Sequence, residues 1–150
     1  MKTIQRMYDY LSWANEYVLD TIHYNKDNPE LLRLFSHILF AEKVWLTRMK
    51  GKDSTKLVIW GELDYEQCRQ LLQENKEEYI NFLASLTEEK LQEKIEYVAT
   101  STGTAFTNTV EEALHHVALH GQYHRGQINL KLRELGYEPV NVDFITFIRK

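Results

Sequence analysis

Cysteine is almost absent: Cys68 is the only one in 150 residues. That excludes an intramolecular disulfide and suits a reducing, cytoplasmic setting. Breakers are scarce as well, with two prolines and six glycines, as expected of a mostly helical chain. No apolar run approaches the ~18 residues of a membrane span, so no membrane partner is expected. The opening MKTIQRMYDYLSWANEY has no apolar core of the secretory type, so no signal peptide is expected. An excess of positive charge is also missing. The net charge is −4, which argues against nucleic acid and leaves a small-molecule substrate as the easier partner. HExxH, GxSxG, GxGxxG and P-loop strings are absent too. A single E-x-x-H, Glu112 to His115, occurs, where a di-iron bundle needs two such motifs and two further glutamates.

What remains is helical periodicity. The length fits one domain spanning 1–150, able to bury roughly 70% of its unfolded surface without disulfides. Ile4, Met7, Tyr8, Leu11, Ala14, Val18, Leu19 and Ile22 mark an inward helical face over about 3–24. Asp27-Asn28-Pro29 restarts a second helix that runs to Met49 and stops at Gly51. A loop follows, whose Trp60 is large enough to fold back on the helices. Asp64 with Gln67 predicts the start of a third helix. Thr87 with Lys90 resembles another start, but the chain then changes character. KIEYVATSTGTAFTNT reads as extended, a hairpin around Gly103. Asn108 or Thr109 caps a last long helix ending at Gly136. The tail YEPVNVDFITFIRK packs either on the bundle or on a second subunit. The expected class is all-α: a four-helix bundle with a short extended segment between helices 3 and 4.

Four of the six histidines lie within ten residues: His115, His116, His120 and His124. Residues four apart share a helix face, so His116, His120 and His124 form a stripe. His120 and His124 occupy positions where a bundle normally puts leucine. Buried imidazoles need partners, and one ion serves both members of an i, i+4 pair. His37, on an inward line of the second helix, is the best third ligand; His23 sits at a helix end and is weaker. Three neutral imidazoles leave an ion its +2 charge and open positions, the pattern of a catalytic site. Gly121, between the pair, leaves room for close helix approach or for a ligand.

At these residues the chain resembles a known family. HHVALHGQYHRGQINLKLRELGYEP, FSHILFAEKVWLTRMKG and YDYLSWANEYVLDTI are similar to segments of the DinB/YfiT-like proteins. The resemblance implies a four-helix bundle, often a homodimer, with one divalent metal on His37, His120 and His124. It also implies activities such as S-transfer from a low-molecular-weight thiol; Zn²⁺ or Ni²⁺ is the expected ion, since three imidazoles do not single out one of them. Rival expectations are a hydrolase using metal-bound water and a non-catalytic metal-binding stress protein.

Five other residues are weighed around that site. Glu42 lies about 140° from His37 around its helix, a poor angle for a fourth ligand; a helix salt bridge is the first expectation, and a buried ion pair or a supporting role near the site the second. His116 is read as a supporting or structural contact. Asn15, polar on an apolar face, lines the pocket or makes a structural hydrogen bond. Trp13 and Tyr123 are candidate pocket walls. Arg125 and Gln127 belong to the family string without an assigned role. Cys68 is expected to be a small buried apolar residue.

Overall fold

The structure, a computed structural model, describes residues 1–149. Four long helices carry most of it: α1 (Lys2–Ile22), α2 (Pro29–Met49), α3 (Tyr65–Ala84) and α5 (Val110–Glu134). Two short helices, α4 (Glu88–Leu91) and α6 (Phe144–Ile148), bring the described α-helices to six. A single 3₁₀ turn, His23–Asn25, extends α1 and accounts for the longer first helix expected from periodicity.

Local chemistry sets the boundaries. Asn28 accepts hydrogen bonds from the backbone N–H groups of Glu30 and Leu31, with Pro29 at the first helical position. Asp64 with Gln67, and Thr109 with Glu112, form reciprocal capping boxes on α3 and α5. Thr87 caps α4, which lasts barely one turn. Gly136, at φ +82°, closes α5 in the left-handed region that favours glycine. The extended segment is a hairpin: β1 (Lys94–Val98) pairs antiparallel with β2 (Ala105–Thr109), from Lys94↔Thr109 to Val98↔Ala105.

α2 lies against α5 and α3, and α1 lies against the same two helices. One apolar cluster centres on Leu31, Phe35, Leu39 and Ile128, and a second on Leu11, Leu46, Leu114 and Tyr79. The tail folds back within the chain. Asn129 fixes it by donating to the Val140 carbonyl and accepting from the Val140 N–H, both at 2.8 Å. Val140 and Val142 are buried, while Phe144 and Ile145 of α6 stay exposed. Among the described residues, no helix is long and apolar enough to cross a membrane.

Candidate metal centre

α2 and α5 bring three histidines to one point. The ligand nitrogens of His37, His120 and His124 lie within 4.8 Å of one another, so they could hold one ion. His37 and His124 are buried, and His120 is partly exposed. His37 Nε2 and His120 Nε2 stand 3.1 Å apart. Two imidazole nitrogens on a tetrahedral zinc with ~2.1 Å bonds sit about 3.4 Å apart, so the spacing suits an ion.

The neighbours of the rings say more than the spacing does. His37 Nδ1 lies 2.8 Å from the Ile59 carbonyl, which can only accept. The proton is therefore on Nδ1, and Nε2 presents a lone pair toward His120. His124 Nδ1 lies 2.6 Å from Gln127 Oε1, which fixes the same tautomer. Both rings thus carry the outer hydrogen bond that metal-binding histidines use. Burial, and the neighbouring His124, His37 and His116, lower the His120 pKa to about 3. Burial also lowers that of His37, against the opposing bond to Ile59. Neutral rings are what a divalent cation requires.

The connection between α2 and α3 supplies the cover. Trp60 stacks on His37 at 3.6 Å between centroids and 4° between planes, with the Arg33 guanidinium 5.1 Å from the indole. Ile59, one residue earlier, is the carbonyl partner. The size of Trp60 signalled that it folds back; its target could not be read, because Trp60 stands 23 positions after His37 in the chain.

The other expected residues fall into two groups. His116 is exposed, 5.5 Å from the His120 ring and 4.8 Å from Trp45. Tyr123 is exposed and stands edge-on to His124 at 5.0 Å. Trp13 is elsewhere: it packs against Tyr17 and Phe147 and lines a cleft with Gln5, Tyr8 and Glu16.

The helix salt bridge first expected of Glu42 is not formed. Its carboxylate is 3% exposed and accepts from Asn15 Nδ2 at 2.7 Å and Asn75 Nδ2 at 3.1 Å. Asn15 in turn accepts from Arg125 Nη1 at 2.8 Å. Asn15 therefore bridges a buried carboxylate and a fully buried guanidinium rather than facing an open pocket. Burial raises the Glu42 pKa to about 7 against the opposing donors. Gly121 leaves the space that Arg125 fills: a Cβ there would stand 2.9 Å from Arg125 Nη1. The nearest atoms to that gap belong to a side chain of the same helix. A cleft of about 610 Å³, lined by Arg48, Phe82, Lys94 and Ile95 among others, contains none of the three histidines.

The DinB family matches the sequence over residues 1–150. This chain belongs to the DinB family. Protein DinB of Bacillus subtilis (strain 168) is 29% identical, over 93% of this chain and 90% of its own length. The uncharacterized protein YizA of the same strain is 23% identical, over 91% and 85%. The crystal structure of a DinB-like protein from Bacillus cereus ATCC 10987 superposes with a TM-score of 0.73 at 14% identity, covering 95% of this chain and 97% of that one. At that identity the neighbour speaks for the fold alone.

Proposed function

We propose that this DinB-family chain is a divalent-metal-dependent enzyme, a thiol-dependent S-transferase acting on a small electrophile. Zn²⁺ or Ni²⁺ would be held by His37, His120 and His124 within a four-helix bundle. The observation that carries the reading is the convergence of three ring nitrogens, two of them with tautomers fixed by Ile59 and Gln127. When bound, the ion supplies a positive charge that favours the thiolate of a low-molecular-weight thiol.

The chain's own residues do the rest. The Ile59 carbonyl and Gln127 Oε1 accept from Nδ1 of His37 and His124, which leaves each Nε2 free of a proton and turned inward. Trp60 covers one face of His37 and excludes water there. Partial exposure of His120 leaves a side from which small molecules arrive. The thiolate sulfur forms a bond to the electrophilic carbon, and the leaving group departs with its electron pair. No protein nucleophile is required. Cys68 is buried against Ser36, and burial pushes its thiol pKa up, away from reactivity.

Metal analysis of wild type and His120→Ala, followed by a thiol-conjugation screen with and without chelator, tests this. Stoichiometric metal in wild type, its loss in His120→Ala, and chelator-sensitive conjugation are expected. Equal metal in both proteins overturns the site. Hydrolysis without conjugation transfers the reading to a hydrolase. Metal binding with neither activity makes the chain a non-catalytic metal-binding protein.

A further inference from the structure

Arg48, near the end of α2, is a buried charge without a counter-charge. It is 5% exposed, and among the described residues no carboxylate forms an ion pair with it. Buried cations are ordinarily paired, because taking them out of water is costly. Two rings partly stand in for an anion: the guanidinium lies 4.7 Å from the Trp45 ring and 4.4 Å from the Tyr97 ring. Burial lowers its pKa, and the opposing influence comes from Tyr97 rather than from a carboxylate. The donors are incompletely used as well. Nε donates to Ser54 Oγ at 3.0 Å, and Nη2 lies 3.4 Å from both the Val98 carbonyl and Thr100 Oγ1. Those contacts tie the loop after α2 and the hairpin to the helix. They leave Nη1 over: it meets no acceptor among the described residues, yet it is not sealed off from solvent.

Arg48 also lines the cleft of about 610 Å³ between the ends of α2 and α3 and strand β1. That volume suits a small molecule. Phe82 and Ile95 give the cleft apolar walls. Around them Lys50, Lys90 and Lys94 join Arg48, against Glu93 and Glu96. Glu78 holds Lys50 and shares itself with Lys43. Lys90 and Lys94 are exposed and in no ion pair among the described residues. The cleft is therefore locally positive in a chain whose net charge is −4.

We propose that this cleft binds a small organic anion, with an oxygen of its carboxylate or phosphate on Arg48 Nη1 and its apolar body against Phe82 and Ile95. A guanidinium held flat between two rings is suited to a planar or phosphate oxyanion, which it meets with charge-assisted N–H donors. The anion supplies the counter-charge that the fold omits, and Lys90 and Lys94 add attraction at the rim. A neutral ligand leaves the buried charge as it is, and a cation is repelled by it. The cleft contains none of the three histidines, so the site stands whether or not those histidines hold an ion.

Amide NMR titrations of the full chain with phenyl phosphate, benzoate and neutral phenol test the site. Saturable shifts at Gly51, Ser85 and Lys94 are expected with at least one of the two anions, and none with phenol. The tighter anion tells whether the site prefers phosphate or carboxylate. Arg48→Lys keeps the charge but loses the fork, and should bind about 10-fold more weakly. Because Arg48 also ties down the hairpin, a second variant avoids it. Lys90→Gln with Lys94→Gln changes only exposed side chains, and should bind about threefold more weakly with unchanged circular dichroism. Absence of saturable shifts with both anions overturns the proposal. So do shifts confined to the surroundings of the three histidines, and so does equal binding of phenol. Affinity unchanged in either variant overturns it as well.

Discussion

Arg125 shows how little of a single residue's role is visible from its neighbours in sequence. It stands in the middle of YHRGQI, beside a histidine, and the string leaves substrate binding and helix packing equally open. The structure buries it completely, donating to Asn15 Oδ1 and Gln122 Oε1 with its guanidinium over Tyr10. Removing one partner of a buried charged network leaves the other exposed to its full desolvation cost. Arg125→Met should therefore cost about 3–5 kcal/mol of stability by urea unfolding. Gln127 is the opposite case, since it acts on one ring. Gln127→Ala should weaken metal affinity about 10–100-fold by competition titration, while the melting temperature of the metal-free protein hardly changes. The pair His120 and His124 was legible because four residues is one helical turn. The tautomers were not, because they depend on Ile59 and Gln127, whose atoms meet the rings only in the folded chain.

At the scale of elements, start signals were the most readable part. Asp64 with Gln67, Asn28 with Pro29, and Thr109 all act within three residues of chain, so sequence alone places them. Thr109→Ala should cost about 1 kcal/mol, measured by thermal or urea unfolding. Gly121 makes a sharper test of α5. On helix propensity alone, Gly121→Ala should gain up to ~1 kcal/mol. Here the added methyl meets Arg125 Nη1 at 2.9 Å. The guanidinium cannot shift without breaking its bond to Asn15, so Gly121→Ala should lower the unfolding midpoint. What sequence could not supply was the use of the gap, because the side chain that fills it is four residues on and bound to α1.

For the whole molecule, the long helices and the hairpin follow from periodicity and turn chemistry, while the buried polar line from Arg125 through Asn15 to Glu42 does not. It joins α5, α1 and α2, and no local pattern encodes a three-helix contact. Glu42 gives that line a pH signature. Its folded pKa, about 7, lies above the usual carboxylate value of 4.5. The folded state therefore binds the proton more tightly, and the stability it contributes is full below pH 4.5 and lost as pH rises through 7. Relative to Glu42→Gln, wild type should lose on the order of 3 kcal/mol between those limits. Paired melting curves at pH 4.5 and pH 8 check this; a constant difference between the two proteins would contradict the shift.

Trp60 lies flat on His37, and that contact gives the protein a built-in optical reporter. An indole in van der Waals contact with an imidazole senses whether that imidazole carries an ion. Titrating metal into the apo protein should change the tryptophan emission, and Trp60→Phe should abolish most of that change even though Trp13 and Trp45 remain. Metal loading could then be followed in real time without a label, as a stopped-flow measurement.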